Sequence, residues 1–351
     1  MASSNHLGGV GTTVLCVVPT PLRAEFFAPS TVASLEASAA ALGGRLEWAE
    51  GADELRAILR DSSGSRLTSR VLVSSWGFPF LDAETLDCLP ELGLLAHSGA
   101  TVRPFVGEDF FDRGLKVTQA GDAMGRPVAE VALTFTLSLL HQTHRFSHDL
   151  HGGVGYEQAQ ANARVQHEVL GARIGVVGAS RTGRHYIQLA LAIGADVSVY
   201  DPFLTQAEAD SIGVRKLGLE ELMSTSQIVA VHAPSLPETH HMIDARMLSL
   251  MPDGAGLVNT ARSWLVDEQA LIAETATGRI DAAVDVFDVE PFADDHPFRA
   301  MPNVLLMPHR AAGTVEGRLR GGEIVAQEVA RFVRGEALAH EIHESDLKRM
   351  A

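Results

Sequence analysis

The chain has 351 residues, 46% of them hydrophobic and 21% charged, enough apolar material for two ordinary globular domains. Against 28 basic residues stand 44 acidic ones, a formal charge of -16 with no run of Lys or Arg, which excludes the electrostatic footprint of a nucleic-acid-binding protein. Cys16 and Cys88 are too few for a disulfide framework and have no zinc-site spacing, so no metal is expected.

The opening MASSNHLGGVGTT has neither the charged start nor the apolar run of a signal peptide, and no stretch approaches about 18 uninterrupted apolar residues. The expectation is a cytoplasmic protein that neither crosses nor enters a membrane. The first dozen residues, rich in Ser and Gly, read as frayed. Residues 14–18 form a first buried strand, 30–42 have helical apolar spacing, and 70–74 and 92–96 are short strand-like runs flanking a helical stretch at 83–88. Such alternation gives a parallel sheet with helices on both faces, because each return to a parallel strand needs a crossover. Pro127 is placed to open a helix as its first residue, and VAEVALTFTLSLLHQTHRF after it keeps one apolar face for about five turns, which predicts a linking helix. The histidines at 141, 144, 148 and 151 read as exposed or facing a second copy of the chain. A second α/β series starts at Ile174 and runs to about Leu306. The amphipathic pattern at 315–333 lies beyond it, and pattern alone leaves open which domain it joins.

From Ile174 to Gly183 a buried run enters a Gly-containing turn and then a helix that is apolar on one face. In a dinucleotide fingerprint Gly178 permits the tight turn and Gly183 close packing of helix on strand, while the backbone N–H groups at Ser180, Arg181 and Thr182 face a pyrophosphate. The middle glycine is missing, and Ser180 stands in its place. The next strand-like run ends in Asp201, 18 positions after Gly183, where a carboxylate accepts from the ribose diol and repels a 2'-phosphate. NAD is therefore the expected cofactor.

Three later segments, NTAR, DVFDVEP and MPHRAAGT, each present a polar residue just past a buried run: Arg262, Glu290 and His309. A guanidinium, a carboxylate and an imidazole beside a nicotinamide bind an acid substrate, tune a base and move a proton.

With GLLAHSGATVRPFV from Gly93, GLKVTQAGDAMGRPVAEVAL from Gly114, VLGARIGVVGASRTGR from Val169 and the long block from Val231 to Leu271, these motifs cover nearly the whole chain. The sequence resembles the D-isomer-specific 2-hydroxyacid dehydrogenases. The resemblance implies an α/β fold of two Rossmann-like or flavodoxin-like doubly wound parallel-sheet domains with a cleft between them. Residues 1–124 and 314–351 would form a split substrate-binding domain, and 125–313 the NAD-binding domain. It further implies that Arg262 grips the substrate carboxylate and polarises the keto oxygen, that His309 donates the proton, and that Glu290 stabilises its imidazolium. Asp285 would lie against the nicotinamide carboxamide, Ala233, Pro234, Thr239, Thr260 and Ala261 would line the cofactor, and the amides of Gly99 and Ala100 would bind the carboxylate. The implied activity is hydride transfer between NAD(H) and a small 2-oxo or 2-hydroxy acid, of the hydroxypyruvate, glyoxylate or phosphoglycerate kind, in a homodimer joined through the coenzyme domain.

The chain also departs from the family. The loop that commonly reads GAGxD is Gly99-Ala100-Thr101-Val102-Arg103, and Arg103 either contacts an anionic substrate or is a solvated loop side chain. Ser263 follows the catalytic arginine where a glycine is usual, and Tyr156 lies where many relatives carry Trp. Glu130 is read as a hinge residue or a catalytic one. Two rival functions share the scaffold: a formate dehydrogenase-like enzyme, which Glu290 disfavours because that chemistry uses an amide beside the histidine, and an NAD(H)-sensing corepressor-like binding protein.

Overall fold

The computed structural model describes residues 11–61, 68–347 and 350, so the opening segment read as frayed lies largely outside the described residues. The chain divides into two compact units, Met1–Met124 with Thr314–Ala351, and Gly125–Gly313. Among the described residues no helix is long and apolar enough to cross a membrane.

In the first unit β1 (Thr12–Val17), β2 (Arg45–Ala49), β3 (Val71–Ser74), β4 (Leu94–His97) and β5 (Lys116–Gln119) run parallel in the order β5-β4-β3-β1-β2. Every residue of β1, β3 and β4 is buried, as expected of strands covered on both faces. β2 escapes a reading by periodicity because it is an edge strand, RLEWA, with Ala49 alone fully buried. The pattern at 315–333 becomes the helix Val315–Arg334, which packs on the helices Pro29–Ala41 and Thr20–Phe26 and on β4, and so belongs to this unit. Two glycines allow that approach: a Cβ on Gly322 would overlap the Phe26 carbonyl, and one on Gly321 would press on the Ser98 carbonyl.

In the second unit β6 (Arg173–Val177), β7 (Asp196–Tyr200), β8 (Arg215–Lys216), β9 (Ile228–Val231), β10 (Gly256–Asn259), β11 (Asp281–Val284) and β12 (Val304–Leu306) form a parallel sheet in the order β12-β11-β10-β9-β6-β7-β8. The order reverses between β6 and β9, and the crevice beyond the carboxyl ends of strands at such a switch point is where α/β sheets bind ligands. A short β13 (Glu341–Ile342) adds an antiparallel edge to the first sheet beside β5. It is held by Gln119 N donating to His340 O and His340 N donating to the buried Glu328 carboxylate, contacts that no local pattern announces.

The linking helix differs from its expected form. It spans Gly121–Leu140, with Pro127 inside it rather than at its start. Proline has no N–H for the carbonyl four residues back, and here Arg320 Nη2 donates to that Ala123 oxygen at 3.4 Å. The apolar run then breaks at Gln142, which takes a left-handed φ of 58°, before a new helix, Thr143–His151. The break is organised by Asp281 at the start of β11, whose buried carboxylate accepts from Gln142 Nε2 (3.1 Å) and from both Nε and Nη2 of Arg145. His144 lies in the same cluster, with Nε2 3.5 Å from Asp281 Oδ2, so it is buried, contrary to the reading of the four histidines as exposed; the other three are exposed.

Burial pushes the Asp281 carboxyl up, but hydrogen bonds from His144 and Arg145 and the Arg145 charge outweigh it and hold it at about 2. Its folded value lies below the unfolded one of about 4, so its contribution is complete above pH about 5 and fades as pH falls toward 2. Asp281→Ala is expected to cost about 3 kcal/mol at pH 7, because Arg145 is left buried without its partner. Denaturant titrations of both proteins should show the gap narrowing between pH 6 and about 3; a gap independent of pH would rule out the ionic role.

Candidate active site

β6 delivers the chain to Gly178, whose φ of 100° and whose approach to the Ala233 backbone, 2.6 Å from where a Cβ would lie, exclude any side chain. A Cβ on Gly183 would overlap the Gly178 carbonyl, so the helix Arg181–Ala192 seats directly on the turn. Ser180, in place of the middle glycine, is the N-cap of that helix: its hydroxyl accepts from Gly183 N at 3.2 Å. The serine thus fixes the helix start, with Arg181 and Thr182 in the first turn, the end of a helix whose N–H groups suit an anion. Asp201, just past β7, accepts from Ala179 N (2.7 Å), Phe203 N (2.8 Å) and Leu204 N (3.2 Å), tying the glycine turn to the neighbouring strand.

These residues fit a dinucleotide on further grounds. Thr260 Oγ1 and both ring nitrogens of His232 are buried without a hydrogen-bond partner among the described residues. His232, not singled out by sequence reasoning, follows β9 beneath the glycine turn, its ring 4.9 Å from that of Tyr186, and burial pushes its imidazole down to about 3, keeping it neutral. A lone histidine in VHAP carries no signal of this placement. Thr239 is committed elsewhere: its hydroxyl donates to Pro234 O at 2.7 Å and accepts from Leu236 N at 2.9 Å, bracing the turn that presents Ala233 and Pro234.

The polar triad is built at the ends of three adjacent strands. Asn259, the last residue of β10, clamps the turn that follows: its Oδ1 accepts from Ala261 N (3.1 Å) and its Nδ2 donates to Arg262 O (3.0 Å). Asn259 was missed, although Asn directly after an apolar run is a known turn former. Arg262 Nη1 donates to Ala261 O at 2.7 Å; burial pushes its guanidinium down, and the neighbouring Glu290 charge opposes that. After β12, His309 adopts a left-handed φ of 50°, and its Nδ1 lies 2.6 Å from Glu290 Oε2. Glu290 Oε1 in turn accepts from Phe287 N at 3.0 Å. A carboxylate only accepts, so Nδ1 carries the shared hydrogen and Nε2 is the atom left to exchange a proton.

Asp285, buried past β11, accepts from Arg310 N (2.8 Å) and Ala311 N (3.0 Å); burial pushes its carboxyl up and those two amides oppose the rise. It therefore anchors the loop that carries His309, in addition to any contact with a cofactor. Gly99, Ala100 and Arg103 follow β4 in the first unit, and Arg103 is exposed with no ion pair among the described residues. Glu130 pairs with Arg126 one helical turn earlier on an exposed face, and Tyr156 is exposed. Ser263 opens a short 3-10 turn in which Trp264 donates to Leu236 O at 2.8 Å and packs on His240. Among the described residues no group of three or more His, Cys, Asp or Glu side chains is placed to hold a metal ion.

Comparison with known proteins gives this geometry a family. Residues 133–311, half of the chain, match the model of the D-isomer specific 2-hydroxyacid dehydrogenase NAD-binding domain. The chain belongs to the D-isomer specific 2-hydroxyacid dehydrogenases. It is 32% identical over 322 residues to D-3-phosphoglycerate dehydrogenase of Mycobacterium bovis, an alignment covering 91% of this chain but 58% of that protein. It is 29% identical to glyoxylate reductase of Korarchaeum cryptofilum, covering 76% of this chain and 81% of that one. The crystal structure of Rhodotorula graminis D-mandelate dehydrogenase superposes with a TM-score of 0.79 at 20% identity, over 95% of this chain and 98% of that chain, a likeness of fold.

The capping role of Ser180 can be measured directly. Urea denaturation should place Ser180→Ala about 1 kcal/mol below the wild type and Ser180→Gly only a few tenths below it; equal stability of all three would mean that the hydroxyl does not cap the helix.

Proposed function

We propose that this protein is an NAD-dependent D-2-hydroxyacid dehydrogenase that interconverts a small 2-oxo acid and its D-2-hydroxy acid, working as a cytoplasmic homodimer with residues 125–313 as its coenzyme domain. The observation that carries this reading is the 2.6 Å contact of His309 with Glu290, past the carboxyl ends of adjacent strands, where Arg262 feels the same carboxylate charge.

Bound NADH supplies the hydride, and the chain's own groups do the remaining work. The glycine turn at Gly178 and Gly183, the helix start at Ser180, Arg181 and Thr182, and Asp201 hold the pyrophosphate and ribose, with Ala233, Pro234, Thr260 and Ala261 along the cofactor. Arg262 pairs with the substrate carboxylate and draws negative charge onto the keto oxygen. His309 delivers a proton from Nε2 to that oxygen as it becomes an alkoxide, and Glu290 stabilises the imidazolium before transfer. In the oxidative direction His309 takes the proton back. The buried Asp285 keeps the histidine's loop in register throughout.

NADH consumption with a panel of unbranched 2-oxo acids tests the proposal. His309→Asn tolerates the left-handed backbone and should lower kcat by about 100-fold or more, with the NADH dissociation constant unchanged. Glu290→Gln, which keeps a hydrogen-bond acceptor but removes the charge, should lower kcat by about 10-fold to 100-fold. Turnover in His309→Asn equal to that of the wild type would end the assignment. Because a left-handed φ strains a non-glycine residue by about 1 kcal/mol or more, His309→Gly should also melt no lower than the wild type while losing activity.

A further inference from the structure

The loop that carries Glu290 is held from behind by groups that the chemistry above does not use. Its tip is open to solvent, with Val289 72% exposed, so burial does not fix Glu290 and the hold comes from the base of the loop. There Phe287 is gripped on three sides. Its N–H donates to Glu290 Oε1 at 3.0 Å, its ring stacks on Phe292 with centroids 4.4 Å apart and planes 8° apart, and the next amide, Asp288 N, donates to Glu268 Oε2 at 3.1 Å. Two successive amides thus reach two different carboxylates, one that bonds His309 and one outside the proton-transfer pair.

Glu268 is built as a fixed point. It is the first residue of the helix Glu268–Ala276, whose N-cap, Asp267, accepts from Ala270 N at 3.0 Å, and a carboxylate in a first turn is favoured by the helix dipole. Its side chain is only 11% exposed, and a carboxylate so enclosed needs donors. Asp288 N serves Oε2, and His296 Nε2 lies 3.5 Å from Oε1. His296 is itself held in place: Phe298 N donates to its Nδ1 at 3.3 Å, and its ring meets those of Phe292 and Phe298 at 5.1 and 5.0 Å. The Arg299 guanidinium lies 4.4 Å over the Phe292 ring and pairs with Asp294. The Asp288 side chain is exposed, so it is the amide of that residue that ties the loop to the helix. All these residues belong to the second unit.

We propose that Glu268 is a positioning residue for proton transfer: its hold on the Asp288 amide fixes Phe287, whose own amide aims Glu290 at His309. What Glu268 contributes is an acceptor at a set point, because its partner in the loop is a backbone N–H. A misplacement of about 1 Å near a reacting group can cost about 100-fold in rate, so a loop with an exposed tip gains from a second anchor. The inference rests on the dehydrogenase reading above and deepens it by naming a residue that sets the geometry of the His309–Glu290 pair.

Steady-state kinetics of 2-oxo acid reduction by the full chain test it, with Glu268→Ala deleting the acceptor and Glu268→Gln keeping one for Asp288 N. Glu268→Ala should lower kcat about 10-fold with KM for the 2-oxo acid and the NADH dissociation constant unchanged, and Glu268→Gln should recover most of that loss. In a Glu290→Ala background, where no carboxylate remains to be aimed, Glu268→Ala should cost less than about twofold further. Phe292→Leu, which frees the Phe287 ring, should show the same dependence on Glu290, and it carries the test if Glu268→Ala does not fold. Wild-type kcat in Glu268→Ala, or an equal fold-loss with and without Glu290, would overturn the proposal. The His309 Cε1–H resonance, assigned by its absence from His309→Asn, reads the same contact without turnover. At pH 7 its chemical shift in Glu268→Ala should move toward its position in Glu290→Ala and return in Glu268→Gln; a resonance that stays at the wild-type position would sink the positioning role alone. The expected movement in a protein that reduces no 2-oxo acid would sink the dehydrogenase reading and keep the anchor.

Discussion

Asp285 spends both carboxylate oxygens on the amides of Arg310 and Ala311, and those two bonds keep the preceding residue, His309, in a left-handed conformation with its ring against Glu290. A non-glycine residue at positive φ persists only where its surroundings over-determine it. Here the over-determination comes from the buried Asp285 just past β11 and from Glu290, whose other oxygen is fixed by Phe287 N. Without Asp285 the loop after β12 would have no reason to deliver an imidazole to that point.

The same economy governs the dinucleotide turn. Gly178 and Gly183 are dictated by backbone approaching backbone, while Ser180 occupies the one fingerprint position that became a helix cap. A serine there departs from the usual pattern and still serves the helix terminus that faces the pyrophosphate. Asp201 acts in the same direction by binding Ala179 N, so the residue expected to read the ribose also sets the shape of the turn.

Three histidines show how environment assigns roles to one side chain. His97 and His232 are buried beside neutral rings and are held uncharged, which suits packing elements. His309 is half-exposed and bonded to a carboxylate, the arrangement that lets an imidazole carry and release a proton. Asp281 is the opposite case, an acid buried among Arg145, Gln142 and His144 that holds a helix break against the sheet.

The sequence by itself determined the alternation of strands and helices, the glycine turn, and the order of Arg262, Glu290 and His309 past their strands, because buried parallel strands are continuous apolar runs and the turns after them carry polar residues at short range. It could not announce β2, β13, the true start of the linking helix or the burial of His144. Each of these depends on a partner distant in the chain: β13 on Glu328 and Gln119, Pro127 on Arg320, and His144 on Asp281. The tertiary structure also decided that Asp285 anchors the His309 loop, that Asn259 clamps Arg262, and that Glu268 holds the Asp288 amide. Local periodicity reports which face of an element is buried, and only folding brings a hydrogen-bond donor on one strand to an acceptor far along the chain.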